Sequence, residues 1–343
     1  VLSGAYTGAS LQFPNGASTG TRSAVVLLTA GGNGQFTRVS AVGHAADSDG
    51  RTVSQEATGA TYNINGDGSG TASFGAGASL FSGARDIFVS QDGAYLLGAS
   101  TAAGGRDIFI AAKNFSTAAG TASFNGRYWV AELTVDGPNF SAASGAFSAL
   151  GTGRISLSER LHLDNLPFDF TAVNSYSVNS DSTGSIAPLP VAGVTNMALG
   201  VSVNVGGTPR PNTMVGAQVG AVNAITDAYG VFFAVRAPSF SGTGVFLDPN
   251  GVVNGASFSP APNPISPGLI ASLFGTNLAP RVGQASSVPL PTTLEGVSVT
   301  VNGVAAPLFF VSANQVNIQV PFGLTGNTAT IVVTNAGVRS NEV

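Results

Sequence analysis

Hydrophobic and polar residues alternate along most of this chain in short runs. Ser23-Ala24-Val25-Val26-Leu27-Leu28, Gln35-Phe36-Thr37-Arg38-Val39, Asp86-Ile87-Phe88-Val89 and Asp107-Ile108-Phe109-Ile110 are rich in β-branched and aromatic side chains. Such residues suit the half-buried, pleated surface of a strand. Clusters of Gly, Asn and Asp bound each run. Asn15-Gly16, Asn33-Gly34, Asp49-Gly50, Asp92-Gly93 and Asn302-Gly303 are turn dipeptides whose residues enter positive φ at low cost. No segment sustains the 3.6-residue period of an amphipathic helix. The pattern predicts an all-β fold.

The pattern also repeats. Gly4-Ala5-Tyr6 followed by Leu11-Gln12-Phe13 returns as Gly126-Arg127-Tyr128 followed by Glu132-Leu133-Thr134-Val135. Gly32-Asn33-Gly34-Gln35-Phe36 returns as Gly151-Thr152-Gly153-Arg154-Ile155, and Tyr62-Asn63-Ile64-Asn65 as Tyr176-Ser177-Val178-Asn179. The matches keep their order, which chance similarity in a Gly-rich chain would not do. Two tandem duplicated antiparallel β domains follow, residues 1–121 and 122–250. Each copy has about eight strands, enough to demand a sandwich or a closed barrel. Within the first copy, Arg85 and Ile87 face one way and Asp86 and Phe88 the other, so one charge is expected near a contact between domains.

Composition shifts around Asp248-Pro249-Asn250-Gly251, and the proline-dense stretch from Ser259 to Gly268 reads as a stiff hinge or strand lead-in. A third unit, residues 251–343, follows. Its ordered motifs are Asn254-Gly255-Ala256-Ser257-Phe258, the run from Ile265 to Pro280, Leu290 to Leu294, Gly296 to Gly303, Ala306 to Ser312, Gln315 to Pro321 and the strand ending at Val333. From about residue 252 onward this unit resembles the C-terminal Ig-like (TIG-type) module of secreted acidobacterial surface proteins. The resemblance implies an antiparallel β-sandwich in an extracellular or cell-surface setting, and no activity. Such modules usually run on past the point where this chain ends, so a short last strand with an unpaired sheet edge is expected.

Charge narrows the choice of partners. Only 9% of residues are charged, against roughly 25% in ordinary soluble domains. The 13 basic and 17 acidic residues leave a net charge of −4, which argues against nucleic acid as a partner. No apolar run approaches the ~18–20 residues of a membrane-spanning helix. The chain has no Cys, which removes disulfides and thiolate chemistry. It opens at Val1-Leu2-Ser3 without a leader, as a mature or trimmed product would.

Candidate chemistry is sparse. His44 and His162 are the histidines; aligned on the Gly-x-Gly turns they fall one residue out of step, which predicts opposite faces of their strands. Gly16-Ala17-Ser18-Thr19-Gly20 fits a nucleophile-elbow pattern but lies between strands, without the helix that chemistry needs. Gly66-x-Gly68-x-Gly70 lacks a helix to complete a phosphate cradle. Lys113-Asn114 has no fixed carboxylate partner for an isopeptide bond, and Asn114 and Asn139 begin glycosylation sequons.

Calcium is the one cofactor that the residue types suggest. Asp47, Asp49 and Glu56 match ligand positions of a calcium loop, with Ala45 where the first ligand belongs, and Asn63, Asn65 and Asp67 present oxygen atoms on alternate residues. Hairpin geometry alone favours the same residue types. Tyr128 and Trp129 are the candidate sugar platform; being adjacent, one faces outward if the other is buried.

These readings predict a non-enzymatic extracellular structural protein that assembles head-to-tail with copies of itself into a filament or surface array. The alternative is an adhesin or a binder of cell-surface polysaccharide.

Overall fold

The computed structural model describes the chain except for residues 1, 15–19, 47–50, 76–79, 104, 115–119, 138, 164–165, 181–182, 187–196, 203–212, 220–227, 238–241 and 262. Among the described residues there are strands and no α-helix. Among the same described residues no helix is long and apolar enough to cross a membrane.

The first copy supplies β1 (Ser3–Phe13), β2 (Arg22–Gly31), β3 (Phe36–Ala45), β4 (Val53–Ala57), β5 (Thr61–Ile64), β6 (Ser69–Ser73), β7 (Ala84–Val89), β8 (Tyr95–Ser100) and β9 (Arg106–Lys113). They form one antiparallel sheet in the order β4-β3-β2-β1-β9-β8-β7-β6-β5. The sheet curls until its ends almost meet. Gln35 bridges Thr61, while Tyr62 N donates to Gly34 O at 2.8 Å and Phe36 N to Ala60 O at 3.0 Å. Inward side chains, including Tyr6, Leu28, Phe36, Phe74, Phe81 and Phe109, fill the curl.

The second copy closes completely. Its strands are β10 (Asn125–Asp136), β11 (Asn139–Leu150), β12 (Arg154–Leu163), β13 (Leu166–Val178), β14 (Thr183–Ile186), β15 (Met197–Ser202), β16 (Thr213–Gln218) and β17 (Ala228–Arg236), joined in sequence order into a barrel. The long β13 takes the place of β4 and β5 together, so the break that opens the first sheet is absent here. Phe124, Tyr128, Phe147, Leu157, Tyr176 and Phe232 lie in its core.

The duplication extends to hydrogen bonds. Tyr62 Oη donates to Leu2 O at 2.7 Å, and its counterpart Tyr176 donates to Thr121 O at 3.1 Å and also to Phe124 O. Asn65 and Asn179 each bond a hydroxyl four residues on, Ser69 and Thr183, at 3.0 Å.

One local difference separates the copies. Thr29 pairs with Arg38 but Ala30 with Phe36, so Thr37 is an extra residue, a β-bulge. Beyond it Val39, Ala41 and Ala45 face the first core. On β12, where pairing with β11 is regular, Ile155 and Leu157 face the second core.

The two copies pack face to face. Ala9, Leu11, Val25 and Ala112 from the outer face of the first sheet meet Val135, Val215, Ala217, Tyr229 and Val231 of the barrel in a shared apolar layer. Polar contacts frame this layer: Thr52 Oγ1 donates to Val219 O at 2.7 Å, and the Tyr95 and Thr213 hydroxyls lie 3.1 Å apart.

The C-terminal strands are β18 (Phe246–Asn254), β19 (Ile270–Thr276), β20 (Gly283–Gln284), β21 (Thr293–Leu294), β22 (Val297–Val301), β23 (Val304–Ala305), β24 (Leu308–Val311), β25 (Gln315–Gln319), β26 (Ile331–Asn335) and β27 (Val338–Arg339). One sheet runs β18-β19-β25-β24-β20 and the other β21-β22-β26-β27, with β23 beside β22. Leu247, Leu273, Val316 and Ile318 of the first meet Val297, Val299, Ile331 and Val333 of the second in a core between them. β18 runs through the composition shift, where Asp248 to Gly251 form an irregularity between paired Leu247 and Val252. The proline-dense stretch is tied down as well: Pro260 bridges Val253, and Gly268, with φ +84°, donates to Val320 O at 2.8 Å. Along β26, Ser340 N donates to Val333 O at 2.8 Å and Ile331 exchanges both backbone bonds with Val343. The last strand, β27, is two residues long and stands at the edge of its sheet.

Arg127 joins barrel to sandwich. Its guanidinium pairs with Asp248 and lies 4.8 Å from the Phe274 ring centre.

Candidate functional site

The residues singled out in the sequence do not converge. Asp47, Asp49 and Ser18 lie outside the described residues. Glu56 is exposed on β4, and Asn63 is exposed on β5. Asn65 and Asp67 serve the β5–β6 hairpin: Asn65 Nδ2 donates to Ser69 Oγ at 3.0 Å, while Asp67 Oδ1 accepts from Ser69 N at 2.9 Å and Ser69 Oγ at 2.6 Å. These bonds hold the Asp67 carboxyl below its ordinary pKa. The same bonds account for this Asn, Asp and Ser spacing as turn chemistry.

Tyr128 is not a sugar platform. It is fully buried, stacked between Phe124 and Phe147 at centroid distances of 4.4 and 5.0 Å. Its inward position on β10 sends Trp129 outward, 37% exposed. The alternation of adjacent side chains was legible; which of the two was inside was not.

The histidines correct the sequence alignment. The Thr37 bulge restores the missing step, so His44, opposite Ser23 on β2, corresponds to His162, opposite Ala142 on β11. Both side chains project outward, not to opposite faces. His162 is exposed, whereas His44 is buried at the junction of the copies with its ring 4.3 Å from that of Tyr229. The alternation at Arg85 and Asp86, with one of the two charges expected near a domain contact, leaves Asp86 exposed on β7 and puts Arg85 inside the first curl. There Arg85 Nη2 sits 3.0 Å from Asp107 Oδ2, both side chains almost wholly buried. Its guanidinium lies 4.0 Å from the Phe81 ring centre and donates to Ser82 O at 2.8 Å.

The feature with the strongest chemical character was not singled out in the sequence. β10 and β12 flank β11, and Glu132 on β10 pairs with Ala143 while Glu159 on β12 pairs with Gly145. The small residues of β11 leave room above it, and both carboxyls project into the barrel. A Cβ on Gly145 would lie 2.9 Å from Glu159 Cγ. Thr134 Oγ1 donates to Glu132 Oε1 at 3.0 Å. Glu159 is only 2% exposed, and its Oε2 has no hydrogen-bond partner. Burial, followed by the neighbouring Glu132 charge, pushes the Glu159 carboxyl up to about 8, and burial raises Glu132 as well. A carboxyl pair in such surroundings attracts protons or cations.

A second feature lies between the copies. A cleft of about 160 Å³ is walled by Ile108 and Ile110 of β9 and by Leu133, Val231 and Phe233 of the barrel. Its lining is almost entirely apolar.

Together these elements define an all-β protein of tandem modules. No family model matches the chain, and no curated protein matches it. Among solved structures it is similar to a protein of unknown function of the DUF3598 family from Nostoc punctiforme, at 12% identity over 68% of this chain and 96% of that one, with a TM-score of 0.21. A likeness at that score bears on neither activity nor partner.

Proposed function

We propose that this chain is an extracellular structural subunit that assembles head-to-tail with copies of itself and catalyses no reaction. The observation that carries the reading is one row of side chains across the outer face of the first sheet. Val42, Val25, Ala9, Ile110, Leu97 and Phe88 are successive cross-strand partners on β3, β2, β1, β9, β8 and β7. The barrel covers the middle of the row, leaving Val25 and Ala9 at most 4% exposed. The row continues bare beyond it, with Leu97 50% and Phe88 58% exposed. An apolar strip continuous with a buried sheet-on-sheet layer suits another β surface. The sandwich at the other end of the chain offers Val282, Val288 and Phe322, each at least 69% exposed. Contact between these unlike ends propagates openly, and sparse charge weakens repulsion between copies. The C-terminal resemblance to secreted surface modules supports the extracellular setting.

Sedimentation and electron microscopy of the wild type and of Leu97→Asp test this. The expected result is concentration-dependent oligomers or fibres that the substitution abolishes while the circular dichroism spectrum stays native. Wild-type monomers that stay monodisperse at the highest soluble concentration overturn it. The polysaccharide-binding alternative rests on Trp129 alone, and glycan arrays with Trp129→Ala decide it.

A further inference from the structure

We propose that, within the head-to-tail assembly on which this inference rests, Phe322 of one copy of the chain fills the apolar cleft between the tandem modules of the next copy. Strand register creates that cleft. On the first sheet Ala9 pairs with Ile110, and on the barrel Ala131 pairs with Phe233. Each pair sets one methyl beside a large side chain, and both alanines line the cleft. The hollow lies where they fail to fill the layer. Ala9, Ile110 and Phe233 also belong to the apolar layer that joins the modules, so the cleft continues a sheet-on-sheet contact already present in the fold. Its walls are preformed: Phe233 meets Tyr95 edge-on, with ring centroids 6.1 Å apart. Ile108 at its rim is 40% exposed.

Size selects the occupant. An apolar cavity of ~150 Å³ takes up one benzene molecule, and this cleft measures about 160 Å³. A lining that is almost entirely apolar leaves a polar group without partners. One hydrocarbon ring fits both conditions. Among the exposed large apolar side chains of the sandwich's described residues, Phe322 alone carries a ring.

Phe322 is also held as a knob. It stands in the turn after β25 and is 75% exposed. Its ring rests on Gly268, where an added Cβ would lie 2.6 Å from Phe322 Cε1. Gly268 N in turn donates to Val320 O at 2.8 Å. The base of the ring is supported while the rest stays bare. An aromatic side chain with two χ angles loses little conformational freedom on docking.

The chain has no Cys, so introduced thiols report the contact directly. Gly323→Cys places one beside the knob and Ala131→Cys places one in the cleft. Mixed in equal amounts and treated with a short bismaleimide, the two variants should give chiefly the mixed cross-linked dimer. Sedimentation of Phe322→Ala, natively folded by circular dichroism, should show self-association weakened about 30-fold. Ala131→Phe, which fills the cleft from within, should weaken it similarly. Toluene, a free ring of matching size, should compete with assembly of the wild type. Wild-type oligomers that Leu97→Asp abolishes but Phe322→Ala leaves unchanged overturn the assignment and leave head-to-tail assembly standing. Phe322-dependent assembly without the mixed cross-link overturns the cleft as its seat. Toluene binding that leaves assembly untouched makes the cleft a small-molecule site and overturns the proposal, and a wild type that never self-associates overturns both readings.

Discussion

His44 of β3 stacks on Tyr229 of β17 across the junction of the two copies, the ring centroids 4.3 Å apart and the planes 13° from parallel. The contact lies beside the apolar layer that Ala9, Leu11 and Val25 share with Val215 and Val231, so it reports on whether the copies behave as one unit. A stacked ring pair adds about 0.5–1.5 kcal/mol beyond the area it buries. His44→Ala is therefore expected to lower stability by about 1–3 kcal/mol. In urea, tryptophan fluorescence from Trp129 and a probe placed in the first sheet should then report separate transitions. Coincident transitions in both proteins would show that the stack does not couple the copies.

Alkaline pH should weaken the protein. Glu159 is raised from 4.5 to about 8, so the folded state holds its proton more tightly than the unfolded chain. The stability this contributes is present in full below the unfolded value and is lost as pH rises through about 8. The urea midpoint should fall between about pH 5 and 8. Glu159→Gln should flatten that slope, and an equal slope in the variant would exclude Glu159 as its source.

Arg85→Met should destabilise the first sheet strongly. It leaves Asp107 buried with the Ser100 amide but without its ion-pair partner, and breaking a buried pair from one side costs about 3–5 kcal/mol. The double change Arg85→Met with Asp107→Leu should recover most of the loss, because an apolar pair has no charge to desolvate. Urea unfolding of both variants decides it; a double variant as unstable as the single one would place the effect in packing against Phe81.

Gly145→Ala should disturb the barrel interior. The added methyl would approach Ser158 O at 2.2 Å and Glu159 Cγ at 2.9 Å. Overpacking of this kind costs about 1–3 kcal/mol. Urea unfolding checks this beside Gly137→Ala, which has open space around its Cβ position but φ +58°: Gly137→Ala bears the backbone strain alone, and a Gly145→Ala variant as stable as the wild type would show that β11 shifts to admit the methyl.

Most of the strand framework was legible in the sequence because side-chain alternation and turn dipeptides are local signals. The Tyr62 and Tyr176 matches were legible for the same reason, and both tyrosines do anchor the chain entering their sheet. What stayed hidden depends on closure. Nothing near Thr58 to Ala60 announces that the first sheet breaks where β13 runs on unbroken. The Thr37 bulge is a single residue in a Thr-Arg pair, too small to read from pattern, and it reversed the relation inferred for His44 and His162. Glu132 and Glu159 sit on separate strands, and each looks like an ordinary polar position until β11 is seen to present Ala143 and Gly145 between them. The Asn65 and Asp67 spacing drew attention as a metal loop because turns and oxygen-ligand sites favour the same residues.

The extra residue at Thr37 is absorbed where it stands: on either side of it, Phe36 still pairs with Ala30 and Arg38 with Thr29. Take it out, and β3 would alternate as β12 already does, with its aliphatic groups inward and its imidazole outward. A one-codon deletion at this point would therefore leave the seam between the tandem halves intact, whereas the same loss further along β3, where no kink takes up the difference, would turn every following side chain over.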